Sequence, residues 1–190
     1  MKASLVISAI LILALPGFAQ NKIAFEQTPV NFIIKNAGLK VNGSIGGLEG
    51  FIMIDPGNSN LLRIEGSIDP NTIETGISLR NNHLKKPDYF NVKEYPKIIM
   101  ASTELTKKGN RKYIGNFDLT IKDVKKNISI PFTFTSVGNE YFLKGEFSIN
   151  RLDFKLGEES IILSDNVNVK IEFKTNSRNE VIRPVKESQR

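Results

Sequence analysis

The chain contains no cysteine and a single histidine, His83, among its 190 residues. The absence of cysteine excludes a disulfide, a thiol nucleophile, a thiolate metal site and a lipid-modified N-terminal cysteine. With one histidine, a zinc site with two or three histidine ligands cannot form within one chain. The sequence also lacks a Gly-x-Ser-x-Gly nucleophile motif and a calcium-loop motif. We therefore expect neither an enzyme nor a metal protein.

The composition is that of an ordinary folded domain. Hydrophobic residues make up 40% and charged residues 24% of the chain, and 26 basic against 20 acidic residues give a net charge of +6. This balance excludes a disordered protein. The length suits one domain, since domains usually run to about 100–200 residues.

Long hydrophobic runs are absent except at the N-terminus. The run from Leu5 to Leu15 is shorter than the roughly 20 residues of a membrane-spanning helix. Pro16 follows it, and Gly17 and Ala19 are the small residues that a signal peptidase recognises. We predict a signal peptide at 1–19 and export of a soluble protein to the periplasm or the outside. At the other end, residues 176–190 are polar, and we expect a mobile tail.

Apolar and polar residues alternate with a period of two through most of the remaining chain. This period is typical of antiparallel strands with one dry face and one wet face. It predicts an all-β fold with eight strands, at Val30–Lys35, Leu48–Asp55, Leu61–Ile68, Ile98–Leu105, Tyr113–Ile121, Ile128–Phe134, Tyr141–Ile149 and Val167–Phe173.

One stretch lacks the alternation and predicts a short helix at Ser78–Leu84 and a further helical turn at Pro87–Asn91, across one end of the sheet. Eight antiparallel strands joined by short turns favour an up-and-down barrel over a sandwich. A barrel of this size is either filled by side chains or holds one small ligand. The alternation leaves both outcomes open.

Several short motifs follow one another in a fixed order. Arg80-Asn-Asn-His-Leu84 precedes Tyr95-Pro96, and Asn150-Arg-Leu-Asp-Phe154 comes later. With this series the sequence resembles the YceI-like family of secreted lipid-binding proteins, over roughly Pro29 to Lys174. We therefore divide the chain into a signal peptide at 1–19, a YceI-like domain at 20–175 and a tail at 176–190.

The resemblance implies a lipocalin-like barrel that holds a polyisoprenoid or a similar long-chain amphiphile, for carriage or storage. It implies no cofactor apart from such a bound lipid, and it suggests a homodimer as one oligomeric state. The sequence departs from the family pattern at three positions. Asn36, Asn81 and Lys155 stand where a histidine, an aspartate and a glycine are frequent.

Burial of an apolar tail requires a dry lining but no directional chemistry. From the alternation we expect the lining to consist of Ile52, Ile54, Ile64, Ile98, Met100, Phe117, Leu119, Phe132, Phe134, Leu143, Phe147 and Ile149. Five polar residues are candidates for contact with a ligand head group or for structural hydrogen bonds, namely Arg80, His83, Asn150, Arg151 and Asp153.

Arg151 and Asp153 flank Leu152 on a predicted strand and would therefore share a face. We expect a structural ion pair, either of Arg151 with Asp165 or of Asp153 with Arg80. His83 and Arg80 are expected to tie the short helix to the barrel by hydrogen bonds, as polar residues beside turns usually do.

The sequence leaves three classes of function open. The first is a secreted carrier or store of an isoprenoid or related lipid. The second is a non-catalytic interaction module with a filled barrel, and the third is an enzyme that uses His83. Basic turn clusters at 107–112 and 122–126 lack the interleaved aromatics of a nucleic-acid reader, so no nucleic-acid partner is expected. They suggest solvated turns or transient contact with an acidic membrane surface.

Overall fold

The computed structural model describes residues 21–176 except 56 and 59. The predicted signal peptide at 1–19 and all but the first residue of the predicted tail lie outside these residues. Within the described part of the chain, no helix has the length and the apolar character that crossing a bilayer would require.

The described residues form ten antiparallel strands and one short α-helix, α1, at Ser78–Leu84. Two short 3₁₀ helices lie at Pro70–Thr72 and Arg151–Phe154. The strands are β1 Asn21–Ala24, β2 Val30–Asn36, β3 Leu39–Ile45, β4 Glu49–Ile54, β5 Leu61–Ile68, β6 Ile98–Lys107, β7 Lys112–Ile121, β8 Val124–Val137, β9 Glu140–Asn150 and β10 Leu163–Asn176.

The all-β prediction is confirmed, but the predicted count of eight strands is wrong. All eight predicted strands occur, and β1 and β3 were missed. The order across the single sheet is β1-β4-β5-β6-β7-β8-β9-β10-β2-β3. Seven consecutive strands form the expected up-and-down meander, while β2 pairs with β10 and β1 pairs with β4. The first strands therefore extend both edges of the meander.

The sheet curls into a half-barrel whose two edges approach other parts of the molecule. Beside β1, the backbone N–H of Glu26 donates to the carbonyl of Lys174 on β10 at 3.1 Å, and the hydroxyl of Thr175 bonds the carbonyl of Ala24. After β3, the carbonyl of Gly46 accepts from the backbone N–H of Asp69 at 3.0 Å. These contacts bring the inner faces of distant strands together.

The apolar side chains of the inner face form two clusters. The larger one includes the fully buried Phe117 and Ile130 and packs aromatic rings of β7 and β8 against each other. The smaller cluster surrounds Phe154 and includes Ile73 and Leu156 from the loops. The two clusters occupy different parts of the interior.

The helix prediction at Ser78–Leu84 is confirmed, whereas the predicted helical turn at Pro87–Asn91 is wrong. Those residues form hydrogen-bonded turns instead. The carbonyl of Lys86 accepts from both Tyr89 and Asn91, and Asn91 has a positive φ of 47°. A residue in this conformation reverses the chain and cannot continue a right-handed helix.

Pro131 marks the point where two neighbouring strands separate. The pairing of β8 with β9 runs from Val137 to Phe132 and ends there. Pro131 has no N–H to donate to a ladder. Beyond it, β8 pairs only with β7, and the rest of β9 pairs only with β10. The 3₁₀ helix that follows β9 packs against both strands.

Candidate ligand-binding cavity

An apolar cavity of about 500 Å³ opens on the inner face of the half-barrel. Its volume lies within the ~300–1,000 Å³ range of sites for small molecules. Strands β2, β3, β5, β6, β7, β9 and β10 contribute inward side chains, and α1 with the turns after it covers one side. The interior is therefore filled at one end and hollow at the other.

Aromatic packing closes the filled end. The ring of Tyr113 stacks on Phe132 with 5.4 Å between the centroids, and Phe134 stacks on Tyr141 at 5.8 Å. Burial raises the pKa of the Tyr113 phenol above its ordinary value of 10.0. The cavity reaches this end only as far as Ile171 and Phe173 of β10.

Two strands with the same alternation differ in how far their inward side chains are buried. On β7 every inward residue from Tyr113 to Ile121 is buried. On β2 the inward residues Phe32 and Ile34 are only half-buried, although they point to the same interior. Both β2 side chains line the cavity, so part of their surface faces empty space and lacks the packing partners that Tyr113 and Phe117 of β7 have.

Close approach of the backbone shapes one wall. Phe32 of β2 lies directly across from Gly43 of β3. A Cβ atom at position 43 would collide with the ring of Phe32. The glycine therefore lets the tip of the ring come close to the β3 backbone, and the ring forms part of the cavity lining.

A hydrogen-bond network fixes α1 at the mouth of the cavity. The side-chain oxygen of Asn81 accepts from the N–H and the hydroxyl of Thr75, at 2.9 and 2.6 Å. Arg80 donates from Nε to the Thr75 hydroxyl at 2.8 Å and from Nη2 to the Thr75 carbonyl at 2.5 Å. Since Asn81 and Thr75 are buried, the network holds the helix in one position.

Glu74 connects this network to the sheet. Its backbone pairs with Ser44 of β3 through two hydrogen bonds of 2.9 Å. Its carboxylate accepts from the Asn81 side chain at 2.9 Å and from the Gly76 N–H at 2.6 Å. The bond from Asn81, followed by the bond from Gly76, lowers the pKa of Glu74 below its ordinary value of 4.5.

Arg151 is the one buried charged residue among the described part of the chain. Nη2 lies 2.8 Å from Oδ1 of Asp165. Nη1 donates to the carbonyl of Leu156 at 2.9 Å, and Nε donates to the carbonyl of Ser164 at 3.2 Å. The expected ion pair with Asp165 is therefore present. Arg151 also lines the cavity, and each of its three side-chain nitrogens already donates to the protein.

The twelve residues expected to form the lining all lie in or against the two apolar clusters. Six of them line the cavity, namely Ile64, Ile98, Met100, Leu119, Phe147 and Ile149. The other six pack in the larger cluster and are not among the cavity residues, namely Ile52, Ile54, Phe117, Phe132, Phe134 and Leu143.

The five polar candidates also divide into residues that line the cavity and residues that do not. Arg80, His83 and Arg151 line the cavity. Asn150 caps the second 3₁₀ helix by accepting from the N–H of Leu152 at 2.9 Å. Asp153 is exposed and pairs with Lys126 at 3.5 Å.

Two structural expectations for these residues need correction. Arg151 and Asp153 do not share a strand face, because both lie in a 3₁₀ helix in which the first is buried and the second exposed. Arg80 bonds Thr75 and so holds its own segment together. The ring of His83 packs edge-on against Tyr89, with 5.0 Å between the centroids.

Sequence reasoning missed the cavity residues of β3 and did not include those of β2 and β10. The signal for β3 was present, because Val41, Gly43 and Ile45 alternate with polar residues after a turn at Ala37-Gly38. Ala37 and Gly38 both have positive φ, as a tight hairpin requires. Among the described residues, no three acidic or histidine side chains form a group that could hold a metal ion.

The fold and the cavity define a class: a curled antiparallel β-sheet protein with an apolar internal cavity. Comparison with known families gives the particular family. The YceI-like domain matches residues 22–175, so the chain belongs to the YceI-like family.

Curated relatives carry names that give no activity. A UPF0312 protein of Yersinia pestis is 29% identical over 113 residues, and one of Photorhabdus laumondii is 30% identical over 100 residues. These matches cover 58% and 52% of this chain and the same shares of the relatives. The chain thus spans less than two thirds of the length of the curated relatives that it matches.

Solved structures share the fold. Burkholderia cenocepacia BcnA has a TM-score of 0.71 at 22% identity, covering 77% of this chain and 94% of that one. A YceI protein of Campylobacter jejuni has a TM-score of 0.66 at 27% identity, covering 72% and 84%. A polyisoprenoid-binding domain of Saccharophagus degradans has a TM-score of 0.66 at 16% identity, covering 84% and 99%.

Proposed function

We propose that this protein binds a polyisoprenoid or a similar long-chain amphiphile in its cavity, for carriage or storage. The observation that carries the proposal is the contrast between β2 and β7. Half-buried apolar side chains on an inner face lack packing partners, and an apolar ligand would supply them. The polyisoprenoid-binding domain with the same fold supports this choice of ligand class.

The energetics favour a chain over a compact polar ligand. Each buried methylene contributes about 0.8 kcal/mol, so ten carbons contribute about 8 kcal/mol. Association costs at least about 4 kcal/mol in lost freedom. The remainder of at most about 4 kcal/mol corresponds to a Kd of about 1 mM at the tightest for ten carbons, and each further buried carbon lowers the Kd.

We place the head group at the mouth and the tail towards the filled end. Polar side chains at the mouth are Arg80 and His83, and Arg80 has Nη1 left after its two bonds to Thr75. The inner end, at Ile171 and Phe173, offers only apolar surface. A head group would lose its hydration there without gaining partners.

Two neighbouring residues of β2 provide a matched test of cavity binding. Ile34 lines the cavity, whereas Ile33 points to the outside and is 39% exposed. We expect Ile34→Trp to reduce binding of cis-parinaric acid and of dansyl-farnesol at least tenfold, because the indole occupies the cavity. Ile33→Trp adds the same volume outside and is expected to leave binding unchanged.

The fluorescence of the variants also shows where each indole lies. The chain has no tryptophan, so emission reports only the introduced residue. A blue-shifted emission is expected for the variant at position 34 and a red-shifted one at position 33. Equal probe binding by both variants would place binding outside the cavity and favour the interaction-module hypothesis. Mass spectrometry of protein purified from its host then identifies the natural ligand.

We also propose that the protein acts by binding and not by turnover, and that it is exported. After incubation the probe should be recovered chemically unchanged, with His83→Ala behaving as wild type. Product formation that is lost in His83→Ala would overturn this. Export is supported by the sequence features of residues 1–19. N-terminal sequencing of protein from its host should begin at Gln20.

A further inference from the structure

Large apolar side chains surround the mouth of the cavity on the outside. Leu79 is 81% exposed and Leu39 is 73% exposed. Ile77 and Leu79 line the cavity and are nevertheless exposed, so they lie where it opens. We call the following set the apolar rim: Leu39, Ile77, Leu79, Ile161 and Ile162. Such a group on one end of a molecule is typical of a contact surface.

The far side of the mouth holds the other rim residues. Leu39 pairs with Asn36 at the tip of the β2–β3 hairpin, and Asn36 lines the cavity. The carbonyl of Ile162 accepts from the N–H of Ala37 in the same hairpin at 2.7 Å. The hairpin and the loop before β10 therefore form one side of the opening, and α1 forms the other.

The hairpin also carries two lysines that have no acidic partner in the part of the chain that the structure describes. Lys35 and Lys40 lie directly opposite each other on β2 and β3, and both are exposed. Within the described residues neither forms an ion pair with a carboxylate. Like charges directly opposite each other on neighbouring strands are destabilising. A negatively charged partner at this place would remove that repulsion.

We propose that the apolar rim docks on an anionic lipid bilayer, with the mouth of the cavity facing the membrane. The inference rests on the proposed function, since the bilayer would be the source or the destination of the apolar ligand. Rim side chains enter the boundary between headgroups and acyl chains, and Lys35 and Lys40 contact anionic headgroups. A second copy of the chain fits the surface less well, because it would bring its own lysine pair against this one.

Two acidic residues near the apolar rim are expected to oppose docking on an anionic bilayer. Glu158 and Glu159 precede Ile161 in the loop before β10. Repulsion between these carboxylates and anionic headgroups is expected to weaken docking. Replacement of both by glutamine should therefore strengthen vesicle binding, by a factor that decreases as salt is added.

Vesicle partitioning tests the proposal. We expect the protein to bind vesicles of phosphatidylglycerol and phosphatidylcholine, and to bind pure phosphatidylcholine vesicles much less. Leu39→Asn with Ile161→Asn should reduce the partition coefficient at least tenfold. Lys35→Gln and Lys40→Gln should each reduce it about fivefold at low salt.

The matched control lies at the other end of the molecule. Val137 is 65% exposed in the β8–β9 hairpin, which pairs with the distal end of β10. Val137→Asn should leave partitioning unchanged. Equal partitioning of the wild type and the rim double variant, or equal binding to both kinds of vesicle, would overturn the proposal. Loss of a wild-type dimer in the rim variant, without vesicle binding by wild type, would assign the rim to self-association and also overturn it.

The two proposals fail separately. The double variant at Leu39 and Ile161 is expected to take up cis-parinaric acid from solution as wild type does, because neither residue lines the cavity. Ile34→Trp is expected to bind vesicles as wild type does, because the rim is unchanged. Absence of probe uptake by wild type would contradict the cavity function, whereas absence of vesicle binding alone would contradict only the docking.

Discussion

The guanidinium of Arg151 lies 2.8 Å from the carboxylate of Asp165 in the cavity wall, and the two partners differ sharply in exposure. The side chain of Arg151 is 3% exposed and that of Asp165 is 42% exposed. We expect Asp165→Asn to lower the free energy of unfolding by only about 1 kcal/mol, since the carboxylate is half in water.

Removal of the buried partner should be more costly. Arg151→Met leaves the carbonyls of Leu156 and Ser164 without their present donor, so we expect a loss of about 3 kcal/mol. Urea unfolding of both variants measures the difference. Similar losses for the two variants would mean that the ion pair and not the carbonyl bonds stabilises this wall.

Glu74 makes the mouth sensitive to acid. Because the folded state lowers the pKa of Glu74 below 4.5, the stabilisation is complete above that value and is lost as the pH falls through the lower folded value. The Gly76 amide, which donates to this carboxylate, should report a titration below 4.5 in an NMR series from about pH 6 to about pH 2.5. In Glu74→Gln the titration should disappear. A midpoint at or above 4.5 would contradict the assignment.

Lys155 has a backbone conformation that favours glycine. It ends the second 3₁₀ helix with φ 54° and ψ 40°, and its ammonium lies 2.9 Å from Asp123 in an exposed ion pair. A residue with a β-carbon is destabilised by about 1 kcal/mol relative to glycine in this left-handed conformation. Lys155→Gly should therefore be more stable than Lys155→Ala by about that amount in thermal or urea unfolding.

The alanine variant serves as the control, because it removes the ion pair but keeps the β-carbon. It should lie within about 0.5 kcal/mol of wild type, as exposed pairs contribute little. Equal stability of the two variants would show that the backbone conformation carries no cost here.

Gly43 sets the position of a cavity wall. Gly43→Ala places a Cβ in the ring of Phe32, so the ring must move into the cavity or away from it. We expect a loss of about 1–3 kcal/mol in the free energy of unfolding and a changed affinity for cis-parinaric acid. Gly46→Ala is the control, because its Cβ would meet Thr72 only at 3.4 Å. Unchanged stability and binding in Gly43→Ala would show that the ring is not held against β3.

The position of individual helices and strands was largely predictable, because the signals for them are local. The alternation along β7 and β10, and its absence at Ser78–Leu84, are properties of neighbouring residues. The 3₁₀ helix at Arg151–Phe154 was not predicted from the same kind of signal. Its apolar and polar residues also alternate over this short stretch, and the cap by Asn150 becomes visible only in the structure.

The sequence by itself determined that the protein is all-β, that twelve named side chains belong to the apolar interior, and that the chain belongs with the YceI-like family. Only the tertiary structure decided where that interior is filled and where it is hollow. Phe117 and Ile34 are both inward residues of alternating strands, yet the first is packed and the second faces the cavity. The difference depends on what distant parts of the chain place beside each residue. Ile34 pairs with Val167 of β10, which also lines the cavity, whereas Phe117 packs against the ring of Phe132 on β8.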